Sequence, residues 1–208
     1  MLATIVKAWR YSCNITAMSS AGEDHGWLLV SISTAGAPAS LRVHVWRKLR
    51  GLGALYLQQS VCLLPDLPEV NRQVLRLLDR VDREGGTARM LHIELADPAE
   101  RDHVIAELQT ARDEEYDEVL ERLPEFFAEV ERETAGGRAT YAEVEENEAD
   151  LRRYRDWMGK IAARDYFNAP RGQVARDELA RAEQVFMTFE TAALAAEERP
   201  HQRVSRRV

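Results

Sequence analysis

Cysteine is nearly absent from this chain of 208 residues, which contains only Cys13 and Cys62. Two cysteines cannot build a disulfide framework or a zinc cluster, so a reducing compartment is the expected setting. Glycine and proline are sparse, at 11 and 7 residues, which excludes collagen-like and low-complexity architectures. No apolar run approaches the roughly 18 residues of a bilayer-spanning helix, so no membrane association is expected. Aromatic residues make up 7% of the chain, and they are not interleaved with its basic residues as on a base-stacking platform.

Catalytic motifs are missing as well. There is no G-x-S-x-G, no P-loop and no glycine-rich nucleotide fingerprint. None of His25, His44, His92, His103 and His201 stands at metal-ligand spacing from another ligand type. Cys62 sits in an apolar run, where cysteine usually serves as a small core residue. The expectation is a cytoplasmic protein that is not an enzyme and carries no metal or cofactor.

What is present is 45% hydrophobic and 30% charged residues, enough apolar material for one folded domain or two small ones. The first 26 residues read as a leader outside the core. Lys7 and Arg10 interrupt their apolar stretch as no signal peptide would allow, and Met18 offers a second start.

Charge is distributed unevenly. Residues 1–60 hold six Lys or Arg against two acids, and four of the bases fall within 42–50. Residues 94–150 hold twenty acids against five arginines and no lysine. A basic tail, 197–208, carries Arg199, Arg203, Arg206 and Arg207. Acidic helices repel nucleic acid, which leaves the front end as the docking face for a polyanion. The plainer alternative is that the carboxylates form a solvated helix face.

Periodicity supplies the elements. Trp27–Ile32 reads as a central strand, and Ser40 caps a helix to about Leu52 with Leu41, Val45 and Leu49 on one stripe. Ala54–Leu57 and Val61–Leu64 form an antiparallel pair, because the link between them is too short for a crossover. A second helix places Val70, Val74, Leu77, Leu78 and Val81 inward, and a fourth strand spans Ala88–Leu95. The order βαββαβ is the ferredoxin-like unit, here 27–95, with both helices on one sheet face. The other face is left for the rest of the chain or for a second copy, so a homodimer is expected.

From Asp97 every signal is helical, giving a second domain over 97–196. Asp97-Pro98 opens a long helix, with a kink expected at Pro124. Thr140–Glu143 is a capping box, and the two helices after it form an antiparallel hairpin around a turn at 168–172. The fold class is therefore α+β.

Two groups of side chains stand out. Arg42, Arg47, Lys48 and Arg50 fall on the outward arc of the first helix, several cations on one rigid rod, as a phosphate backbone would require. Trp46 is expected to pack at the helix edge. Arg112 and Asp165 interrupt apolar stripes, and an ion on such a stripe must be paired or face a pocket. The expected cluster joins them with Glu115, Tyr116, Lys160 and Arg164, either as a structural salt bridge or as a grip for an oxyanion.

Several of these stretches resemble the N-terminal domain of ChrB-type chromate resistance proteins. They are Trp46–Arg50 with Leu52–Ala54, Leu57-Gln58 and Val61–Pro65, then Ala111–Tyr116, Thr140–Glu143 and Lys160–Phe167. The resemblance implies a chromate-responsive regulatory or accessory protein that binds promoter DNA, with chromate as an oxyanion held by arginines such as Arg112 and Arg164. Regulator-type members carry a further C-terminal domain that this sequence does not include. The front unit is also similar to the ferredoxin-like domain of phenylacetate-operon repressors and of small CRISPR-associated nucleases. Those nucleases end their first strand on an aspartate, whereas Val30–Thr34 offers no carboxylate for magnesium. The competing reading is a protein-interaction module that uses the acidic helices and does not bind DNA.

Overall fold

The computed structural model describes residues 26–136 and 140–204; the leader and the end of the tail lie outside them. Strand β1 (Trp27–Ser33) alternates its side chains between two faces, with Leu28, Val30 and Ile32 on one and Trp27 and Leu29 on the other. It is an interior strand, paired with a neighbour on each side, which suits its nearly continuous apolar run. The remaining strands are β2 (Leu55–Gln58), β3 (Val61–Pro65) and β4 (Thr87–Ile93), in the order β2-β3-β1-β4. Every pairing is antiparallel. This is the expected ferredoxin-like arrangement.

Helix α1 (Ala39–Gly51) buries Leu41, Val45 and Leu49 on the Leu28–Val30–Ile32 face. Helix α2 (Pro68–Arg83) adds Val70, Val74, Leu77 and Val81 to the same core, with Leu78 half-buried. The expected Ser40 cap is not made. The N-cap of α1 is Pro38, which offers no side-chain acceptor, and the helix starts two residues earlier than the sequence suggested.

Helix α3 (Pro98–Ala135) begins as expected, with the Asp97 side chain accepting a hydrogen bond from the Ala99 amide at 2.9 Å. It remains one helix through Pro124. Helix α4 (Tyr141–Ala162) starts at Thr140, whose Oγ1 accepts from the Glu143 amide. Helix α5 (Pro170–Val204) starts inside the stretch expected to be a turn and continues past residue 196. Pro170 suits a first-turn position, because a proline there sacrifices no hydrogen bond. The three helices share a core in which Leu123, Phe126, Leu151, Ile161, Phe186 and Phe189 meet. Ala175 and Ala182, both fully buried, keep α5 close to its neighbours.

The start of α3 answers the question left by the second sheet face. Val104 and Leu108 cover Trp27 and Leu63, and the Phe167 ring stacks on Trp27 at 5.6 Å. The chain thus covers one end of its own sheet, while Leu91 and Leu57 remain about half exposed. Among the described residues, no helix is long and apolar enough to cross a membrane.

Candidate functional site

The outward arc of α1 is as basic as its sequence requires. Arg42, Arg47 and Arg50 are exposed and Lys48 is half-buried. Lys48 Nζ donates to Gln73 Oε1 at 2.5 Å, Arg42 Nε lies 3.5 Å from Thr34 Oγ1, and the Arg50 guanidinium sits over the Trp46 ring at 5.3 Å. The ion pairs of this unit use other groups, Arg72–Glu69, Arg80–Glu84 and His92–Asp66. None of the four α1 cations is paired with a carboxylate of the described residues.

Sequence reasoning missed the arginines of α2. Arg72, Arg76 and Arg80 recur every fourth residue, and Arg80 Nη1 lies 3.1 Å from the His44 ring on α1. Their spacing was a usable signal, masked by Glu69, Asp79 and Asp82 on the same helix.

The second group forms a joint between the two halves of the chain. Glu115 bridges two guanidinium groups: Oε1 lies 3.1 Å from Arg112 Nη2, and Oε2 accepts from Arg164 Nη2 at 2.7 Å. Asp165 is held separately, Oδ2 accepting from the Tyr116 hydroxyl at 3.1 Å and Oδ1 from the Ala169 amide at 2.9 Å. Arg112 and Asp165 therefore share one buried cluster without forming an ion pair with each other. Lys160 does not join it. Its side chain is exposed, and only its carbonyl takes part, accepting from Arg164 Nη1 at 2.8 Å.

The cluster packs against the corner between α1 and β2. Gly53 has φ +70°, and a Cβ there would lie 2.8 Å from Arg112 Nη1 and 3.2 Å from the Arg164 Cβ and carbonyl. Only glycine combines that backbone with that closeness. Beside it, the Tyr166 hydroxyl donates to the Leu52 carbonyl at 2.9 Å. Asp113 accepts from the Arg171 amide at 2.7 Å and so caps the start of α5 from α3. Gly53, Tyr166 and Asp113 went unrecognised because their partners lie 50 or more residues away, where local patterning carries no signal.

Burial governs the titration of these groups. Desolvation lowers the Arg112 pKa against the opposing pull of Glu115, and it raises the Tyr116 and Tyr166 hydroxyls. Two guanidinium groups and two carboxylates make the cluster neutral as it stands. Glu115 pairs with Nη2 of Arg112 and with Arg164, while the Nε and Nη1 of Arg112 are buried without a hydrogen-bond partner among the described residues.

A groove of about 370 Å³ lies between α1 and the β2–β3 edge, with Trp46, Val43, Tyr56 and Arg42 among its walls and Cys62 at its base. Trp46 was expected to pack at the helix edge; it is instead 48% exposed on this groove. Burial pushes the Cys62 thiol from 9.0 up to about 12.

The comparisons with known proteins agree with the sequence resemblance. The family model described as "Protein ChrB, N-terminal" matches residues 42–200. Over 155 residues the chain is 28% identical to Protein ChrB of Cupriavidus metallidurans, an alignment covering 74% of this chain and 43% of that relative. The chain therefore spans less than half of the relative's length. No solved structure matches it.

Two measurements check this geometry. Glu115→Gln leaves two guanidinium groups facing each other and is expected to cost about 3 kcal/mol in urea unfolding, as removal of one partner from a buried pair does. Exposed Lys160→Ala should stay within about 0.5 kcal/mol. Because the folded-state Cys62 pKa lies above its ordinary value, its contribution to stability is complete below about pH 9 and lost as pH rises towards 12. The raised tyrosines act in the same direction. The urea midpoint should thus fall through that window, and less steeply in Cys62→Ala.

Proposed function

The chain belongs to the ChrB N-terminal family, and on that footing we propose that it is a non-catalytic regulatory or accessory protein of a chromate resistance system. It binds promoter DNA through Arg42, Arg47, Lys48 and Arg50, and it works as a homodimer. The observation that carries this reading is the set of α1 cations without carboxylate partners among the described residues, in a chain of net charge −7. An acid-rich protein that leaves one basic rod unpaired has kept a surface that phosphates favour. Arg76 on the neighbouring α2 is exposed and extends it.

Chromate recognition is not assigned to Arg112 and Arg164. Glu115 already occupies Nη2 of both guanidinium groups, and the Nε and Nη1 of Arg112 that it leaves unpaired are buried.

The second reading, an acidic interaction surface, draws on α3 and α4. Arg152 and Arg153 on α4 are occupied by Glu148 and Asp150 of the same helix, while Glu145 and Glu146 stay exposed. A partner that docks on those carboxylates would be retained when the α1 cations are removed.

Binding to a promoter duplex from the protein's own operon, titrated against salt, tests the first reading. Four phosphate contacts predict a log–log slope near about −3.6, and each Arg→Gln change at 42, 47 or 50 should reduce it by about 0.9. No binding at low salt, or a slope insensitive to these changes, overturns it.

A further inference from the structure

Beside the basic rod, and independent of its charge, lies an apolar surface that duplex phosphates do not need. Val43, Trp46, Tyr56 and Leu57 are 46%, 48%, 38% and 49% exposed on α1 and β2. Three of them, Val43, Trp46 and Tyr56, line the groove between those elements. Gln59, Ser60 and Arg42 add polar groups to its lining. Exposed aromatics gathered in one concavity mark a binding site more often than a packing accident.

The charge around the groove restricts its occupant. Arg42 stands on its wall, and the Arg50 guanidinium covers the Trp46 ring at 5.3 Å. The cations do not converge on one point as they would around a small free anion. They are spread from 42 to 50 along about 12 Å of helix, which suits a chain of phosphates. A planar π-system in the groove, joined to phosphates on either side, fits both features.

Resting on the DNA-binding reading above, we propose that the groove is a site for an unstacked nucleobase. Trp46 and Tyr56 hold its faces while Arg42 and Arg50 take the flanking phosphates. The preferred ligand is therefore DNA with a base available outside the helix, single-stranded or locally opened, over an intact duplex. Stacking on an aromatic side chain tolerates any sequence, because every base has a π-face.

The test uses the full chain and three fluorescent oligonucleotides of one sequence: an intact duplex, the same duplex with one extrahelical 2-aminopurine, and the single strand. The wild type should bind the bulged and single-stranded probes more tightly than the duplex and quench the 2-aminopurine on binding. Trp46→Ala should abolish the quench and lower bulged-probe affinity relative to duplex by roughly 5- to 150-fold, with the salt slope unchanged. Trp46→Phe, which keeps a π-face, should recover most of that ratio, and Tyr56→Leu provides a second lesion if Trp46→Ala folds poorly. Duplex binding with a full salt slope, but no preference for the bulge and no effect of either lesion on the ratio, overturns the groove proposal alone. Absence of binding to all three probes overturns it together with the DNA reading. A change of oligomeric state in Trp46→Ala, with DNA affinities unaltered, also overturns it, since the groove would then be a contact between copies.

Discussion

A guanidinium group taken out of water has to be neutralised, and in this protein that requirement ties the two halves of the chain together. Arg112 is 8% exposed. Without Glu115 its desolvation would cost several kcal/mol, and the same carboxylate also restrains Arg164 on the link between α4 and α5. Gly53 lets both arginines approach the backbone, and Tyr166 ties the Leu52 carbonyl to that link. The end of α1 is thus held by groups from α3 and from the α4–α5 connection in addition to the backbone hydrogen bonds of its own turn.

This arrangement gives the basic rod its character. Leu41, Val45 and Leu49 hold α1 down on the sheet, and the joint holds its C-terminal corner, so its cations stand on a rigid support. Arginines that enter the joint are neutralised by Glu115, while those of α1 keep their charge for solvent. Three of the stretches that carry the family resemblance, Leu52–Ala54, Ala111–Tyr116 and Lys160–Phe167, meet at this one place. Those residues are accounted for by the joint, whereas Trp46–Arg50 is accounted for by the exposed surface.

Much of this was legible in the sequence, and the rest was hidden for physical reasons. The apolar run Trp27–Ile32 and the 3.6-residue stripes of α1 and α2 mark a central strand and the buried faces of two helices, so the element order could be read directly. Arg112 and Asp165 betrayed themselves as charges on apolar lines. How the charges would pair could not be read, because one helical position moves a side chain by about 100°: Lys160 falls outside the cluster and Glu115 falls inside it. The Gly53 contact and the Trp46–Tyr56 groove depend on residues brought together only by folding. Ser40 was assigned as a cap on its residue type, yet Pro38 and the stripe beginning at Leu41 started the helix earlier.

The central claim is that the α1 corner and the helical half open together. Native-state hydrogen exchange tests it at the amides of Leu52, Gly53 and Ala54, which donate to the carbonyls of Lys48, Arg50 and Leu49. Their opening free energy should equal that of the α3 amides around Arg112, with the same denaturant dependence, as expected of one cooperative unit. Exchange of the corner through a low-energy local opening, while α3 stays protected, would contradict the account.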